Sequence, residues 1–158
     1  MSAQAASTEN DSPRRQALGL LARAPLADLA ARMQRLQAVC ELPAHTWLRK
    51  PQTGMVMLRA RIGGNGEQFN LGEATLTRCT LRLADGTVGV GTVRGRAAQH
   101  AEYIALCDAL LQRPDSAAHV NSEVLDVLAS AERARHAQRA AEVAASKVDF
   151  FTLVRGSD

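Results

Sequence analysis

The sequence predicts an α+β domain: an antiparallel β-meander of three to four strands packed with an N-terminal helix pair and two C-terminal helices. Three observations predict it. Between Gly54 and Val93 apolar residues alternate with polar ones and glycine-bearing turns break the runs, which is the two-residue period of strands. On either side the chain is alanine-rich with apolar residues three and four apart, the period of helices. At 158 residues the chain suffices for one core and is too short to expect two.

Residues 1–11 are small and polar and read as a disordered tail, which leaves 12–158 as a single domain. Ser12 and Pro13 open the first helix, a hydroxyl to cap free amides followed by proline at the first helical position. It should end near Arg23. Pro25 opens a second, with Leu26, Leu29, Ala30, Met33, Leu36 and Cys40 along one side.

The segment from Leu42 to Lys50 is a candidate first strand that Pro43 confines to an edge or a strand start. Met55 to Ile62 is a separate strand, closed by the turn Gly63-Gly64-Asn65-Gly66. The next strand, Phe69 to Ala84, changes phase: Ala74 and Leu76 are apolar at even positions, Cys79, Leu81 and Leu83 at odd ones. A bulge or bend near Thr77–Arg78 is expected from that shift. Asp85-Gly86 is a hairpin signal, and Val88 to Val93 returns antiparallel. Gly89, Gly91 and Gly95 leave one face of that strand bare, so a helix or another chain must lie close against it.

A helix from about Ala97 to Gln112 follows and ends at Pro114. The last helix is expected to start near Asn121 or Ser122 and to run to about Lys147, with few large apolar residues in its middle. The chain then finishes with Phe150, Phe151, Leu153 and Val154, side chains of a buried type after a polar helix. Residues 148–154 are therefore expected to dock into a core or onto a partner.

Composition narrows the function classes. Aromatic residues make up 3% of the chain, so leucine, valine and alanine must fill the core and a stabilising partner is expected. The net charge is +3, carried by arginine far more than by Lys50 and Lys147, which suits phosphate and carboxylate partners. The basic residues are spread out, without interleaved aromatics, which argues against nucleic acid. Cys40, Cys79 and Cys107 lie far apart and read as reduced thiols of a cytoplasmic protein. Neither a signal sequence nor a membrane-spanning run is expected.

Motifs that carry chemistry are sparse. The "GGNGEQF" loop is followed by a strand and has no lysine, so it reads as a β-turn rather than a phosphate cradle. His100 and Glu102 have the H-x-E spacing of zinc deaminases, but the paired cysteines of that site are missing. A metal site is therefore not expected. The alternative to a catalytic pair is a histidine and a glutamate packed near a helix start. Arg59, Arg61, Arg78, Arg82, Arg94 and Arg96 form a ladder along the meander. Some of them could share a face that binds anions or docks a subunit, and a plain solvated face is the alternative.

The blocks "RIGGNGEQFNLGEATLTR", "LADGTVG", "GRAAQHAEYIALCDAL" and "EVAASKVDFFTLVRG" carry a resemblance, in this order, from about Arg14 onward. The chain resembles the G subunit of the bacterial phosphonate carbon–phosphorus lyase system. The resemblance implies a cytoplasmic core-complex subunit that assists transfer of a phosphonate to C1 of the ATP ribose with release of adenine. It implies no catalytic residue and no cofactor bound by this chain. ATP would be a substrate of the complex, and the iron–sulfur cluster and S-adenosylmethionine would belong to another subunit. The expected partners are the other core subunits, chiefly the nucleosidase-like I subunit, and the ATP-binding-cassette-type subunit, with no nucleic acid and no membrane. Arg61, Arg78, Arg96, His100 and Glu102 remain candidates for anion contact, and Phe150, Phe151, Leu153 and Val154 for partner contact. The rival readings are a free-standing small-molecule hydrolase using His100 and Glu102, and a basic nucleic-acid-binding domain.

Overall fold

The computed structural model describes residues 12–145, so the expected tail 1–11 and docking segment 148–154 lie outside the described residues. Helices α1 (Pro13–Arg23) and α2 (Leu26–Val39) lead into strands β1 (His45–Arg61), β2 (Gln68–Leu83) and β3 (Val88–Arg94). Helices α3 (Ala98–Leu111) and α4 (Pro114–Val120) follow, then a π-helical turn at Asn121–Leu125 and α5 (Asp126–Ala145). The strands make one antiparallel sheet in the order β1-β2-β3. The expected α+β meander with flanking helices is therefore present.

Local signals set the first elements. The Ser12 hydroxyl accepts from the Arg15 amide at 3.3 Å, and Pro13 occupies the first helical position. Helix α2 buries Leu29, Met33 and Leu36 as its spacing requires, while Leu26 stays at the surface. Asp85-Gly86 turns the β2–β3 hairpin: Gly86 has φ +92°, and Asp85 Oδ1 accepts from the Thr87 amide at 2.9 Å.

The core lies between one face of the sheet and the helices. Cys79, Leu81, Leu83 and Val93 face α3, whose other sides pack on α1, α2 and the α4 segment. Helix α3 is buried almost all round, from Ile104 to Leu110 without a break, so it is the centre of the domain rather than an amphipathic cover. The bare strand is covered by the chain's own α3. A methyl group on Gly89 would collide with the Ala105 carbonyl oxygen, and one on Gly91 with that of Ala101. Ala101, Ala105 and Ala109, four residues apart, give α3 the matching small-residue stripe. Gly95 serves differently, turning the chain at φ +88° just past β3.

Three expectations are corrected. The two segments expected as separate strands form one 17-residue strand, β1, which absorbs Pro51 as an edge strand can. The expected bulge near Thr77–Arg78 is not in β2. The extra residues sit across from it in β1, where Trp47, Arg49 and Gln52 face Leu81, Thr80 and Arg78. The apparent change of phase arises because Thr77, a polar residue, takes the core position. Its hydroxyl donates to the Gly95 carbonyl at 2.6 Å, accepts from the Ala97 amide at 3.1 Å and pairs with Thr53 Oγ1 at 3.1 Å. Finally, the last helical segment starts at Pro114 and not near Asn121, because that proline opens a helix at its first position. The π turn lets one continuous run from Pro114 keep both Val120 and Val124 in the core.

Beyond the reach of β3, which pairs only with Leu76–Arg82, β1 and β2 continue as a two-stranded ribbon. It leaves large apolar side chains exposed on both strands and at its turn, Met55 by 69%, Leu71 by 62% and Ile62 by 68%. Among the described residues no helix is long and apolar enough to cross a membrane.

Candidate functional site

With α3 on one face of the sheet, the register decides what the other face presents. Facing pairs on β2 and β3 are Arg82 with Val88, Thr80 with Val90, Arg78 with Thr92, and Leu76 with Arg94. On the β1 side, Thr46 faces Arg82, Arg49 faces Thr80, and Gln52 faces Arg78. Neighbours across an antiparallel pair share a face, so Arg49, Arg78, Arg82 and Arg94 stand together on the side away from the core. Arg78 and Arg82 lie two residues either side of Thr80, and Arg49 faces Thr80 between them. Diagonal neighbours of this kind are about 7 Å apart. All four are exposed, no carboxylate occupies any of these facing positions, and among the described residues none of the four makes an ion pair.

Four other arginines are paired with carboxylates. Arg14 forks onto Asp108 with both contacts at 2.8 Å, Arg23 meets Glu132 at 2.8 Å, and Arg135 meets Asp28 at 3.4 Å. Arg113 bridges Asp85 at 3.4 Å and Asp115 at 2.7 Å. These pairs tie helices and turns together. On the sheet face four guanidinium groups gather without a carboxylate partner among the described residues, and an uncompensated cluster is what an anionic partner needs.

The predicted site residues are dispersed. Of Arg61, Arg78, Arg96, His100 and Glu102, Arg78 alone lies in this cluster. Arg61 sits at the end of the ribbon and donates to the Gly66 carbonyl at 3.1 Å. Arg96 is exposed in the link between β3 and α3. His100 is buried, its Nε2 2.9 Å from the Leu21 carbonyl oxygen, so the ring fastens α3 to α1. Glu102 is half-buried on the same helix, near enough to Cys79 for its charge to raise that thiol. The histidine of the H-x-E pair is thus taken up by a helix carbonyl, while the charge of Glu102 is felt at a sheet thiol. Among the described residues no three of His, Cys, Asp and Glu gather as a metal would require. Phe150, Phe151, Leu153 and Val154 fall outside the described residues.

Two features escaped the sequence reading. Arg49 joins the cluster only through the bulged register of β1, which no periodicity announces. Asp108 is fully buried, accepts from the Val90 amide at 2.8 Å as well as from Arg14, and locks α1, α3 and β3 together. A lone aspartate inside the apolar run "IALCDALL" is the signal that finds it, since a buried carboxylate requires a donor set. The two buried thiols are inert by contrast. Burial, with help from Glu102, pushes Cys79 up to about 11 against a backbone bond from Gly91, and burial pushes Cys107 up to about 12.

Residues 12–156 match the family model described as phosphonate metabolism protein PhnG. A relative from Rhizobium meliloti (strain 1021), named alpha-D-ribose 1-methylphosphonate 5-triphosphate synthase subunit PhnG, is 44% identical over 159 residues, covering 98% of each chain.

Proposed function

The chain belongs to the PhnG family of phosphonate metabolism proteins, and from that premise we infer that it is one subunit of a multi-subunit ribose 1-methylphosphonate 5-triphosphate synthase of the carbon–phosphorus lyase system. The end-to-end match to a relative named as a synthase subunit carries this reading. In it, the complex transfers a phosphonate to C1 of the ATP ribose and releases adenine. This chain assists by offering surface, while the reacting groups come from its neighbours. Two features support that division. His100 is held by a backbone carbonyl, and the buried Asp108 is fully engaged by Arg14 and Val90. The open feature is a flat basic face, a binding element rather than a pair of proton carriers.

The finer points of the reading are a nucleosidase-like I subunit as the chief neighbour and an ATP-binding-cassette-type subunit in the same system. The cofactors of carbon–phosphorus cleavage are assigned to a different subunit, and the assembly to the cytoplasm. The test is reconstitution. Methylphosphonate and ATP are supplied to the co-expressed synthase subunits with and without this chain, and adenine release is measured. The purified chain alone should release none, the set lacking it should be inactive, and adding it back should restore turnover. Full activity of the set without it would overturn the reading.

A further inference from the structure

The basic sheet face and the apolar ribbon are one continuous surface. The extra residues opposite Leu81–Arg78 belong to β1, and β2 itself alternates without a bulge from Gly72 to Arg82, so Leu76, Ala74 and Gly72 stand on the arginine side, opposite Gly54, Val56 and Leu58. Guanidinium groups at one end thus grade into the half-buried Leu76, Ala74 and Val56 and the exposed Leu58 at the other, while Met55 and Met57 stand on the opposite face of the ribbon. We propose that this surface docks an acidic, partly apolar patch of a neighbouring synthase subunit, with Arg49, Arg78, Arg82 and Arg94 set against its carboxylates. The proposal rests on the subunit reading above and names the contact through which that reading operates.

Three observations select a protein patch over a small anion. First, the four arginines are spread across three strands of a face that no element among the described residues covers, whereas small ligands take concave sites. Second, Val88 and Val90 interleave with the charges, the mixture of arginine and apolar contact that marks protein interfaces. Third, strand rise and spacing give the face and ribbon together roughly 600 Å² of sheet plane. With side chains standing off it, that approaches the ~800 Å² per partner of a standard interface. Charge decides the sign of the partner. Arginines this close, with no carboxylate among them, repel one another until something negative covers them.

The experiment uses the intact set of co-expressed subunits, captured through a tag on another subunit. Arg78→Glu/Arg82→Glu is compared with wild type, with a milder Arg78→Gln/Arg82→Gln variant alongside in case reversal prevents folding. Folding is checked by circular dichroism and thermal melting. Wild-type chain should be retained at low salt and released progressively as salt approaches about 1 M. Retention of the reversed variant should fall roughly tenfold or more, and that of the neutral variant by less. A folded variant retained like wild type overturns the docking proposal while leaving the subunit reading intact. Retention with loss of turnover also overturns it, since the arginines would then serve the phosphate-bearing substrate. Wild-type chain that is not retained at all refutes the subunit reading, and the docking proposal with it.

Discussion

The ion pair of Arg14 with Asp108 is asymmetric, and its asymmetry is testable. Asp108 is fully buried, whereas half of the Arg14 side chain is in solvent. Removing the arginine strands a charge in the core, whereas replacing Asp108 with asparagine removes the charge itself. Arg14→Ala should therefore cost on the order of 3 kcal/mol in urea unfolding, and the same change in an Asp108→Asn background distinctly less. Thr77→Val keeps the shape but leaves the Gly95 carbonyl and the Ala97 amide without their partner, for an expected loss of about 2 kcal/mol. With Cys79 and Cys107 raised by burial, Cys40 should be the one thiol that iodoacetamide labels rapidly near pH 8, read by mass spectrometry. At this scale the sequence was legible where one residue type has one use, as with Ser12, Pro13 and Gly86. It was silent on Thr77 because a threonine in a strand looks solvent-facing until three partners are found around it.

At the scale of elements, α3 and α5 are opposites. Helix α3 is enclosed by sheet and helices, while α5 buries Leu128 and is exposed from Arg133 onward. Packing supplies most of a helix's stability, so amides of residues 134–145 should exchange with deuterium orders of magnitude faster than those of 104–110. The polar middle of α5 was readable from composition, and so were both N-terminal helices and the β2–β3 hairpin. The unity of β1 and the start at Pro114 were not. A proline is the end of one helix or the beginning of the next, and only the packing of Val120 and Val124 chooses. Register was beyond periodicity too: two bulges in β1 decide that Arg49 joins Arg78 and Arg82, while Arg61 is left at the ribbon's far end.

Across the whole molecule, stability should peak between acid and alkaline limits whose origins are identifiable. Hydrogen bonds from Thr87, Arg113 and Arg23 hold Asp85, Asp115 and Glu132 respectively below the usual carboxylate range. A depressed folded value contributes stability above the ordinary carboxylate range, which is lost as pH falls through the lowered values. The two buried thiols act in the opposite sense. Their contribution is complete below the ordinary thiol value of 9.0 and disappears as pH rises toward about 11 and 12. Melting temperature followed from pH 3 to pH 11 should therefore decline at both ends, and a flat alkaline limb in a Cys79→Ala/Cys107→Ala protein would identify the thiols as its source. The α+β class was legible at this scale, from the change of hydrophobic period along the chain. The site was legible only in part: the arginine ladder was visible in sequence, and its division among a sheet face, a ribbon end and a loop was not.

Gly89 and Gly91 seat α3 directly on the backbone of β3, with carbonyl oxygens of Ala101 and Ala105 where side chains would otherwise be. The gap between helix and sheet is thus as thin as two backbones permit. One added methyl would act as a shim, prising the layers apart and tilting the sheet, so that the guanidinium array on the far side would swing out of alignment with whatever it was cut to meet. A residue hidden at the back of the sheet would then govern the aim of residues at its front.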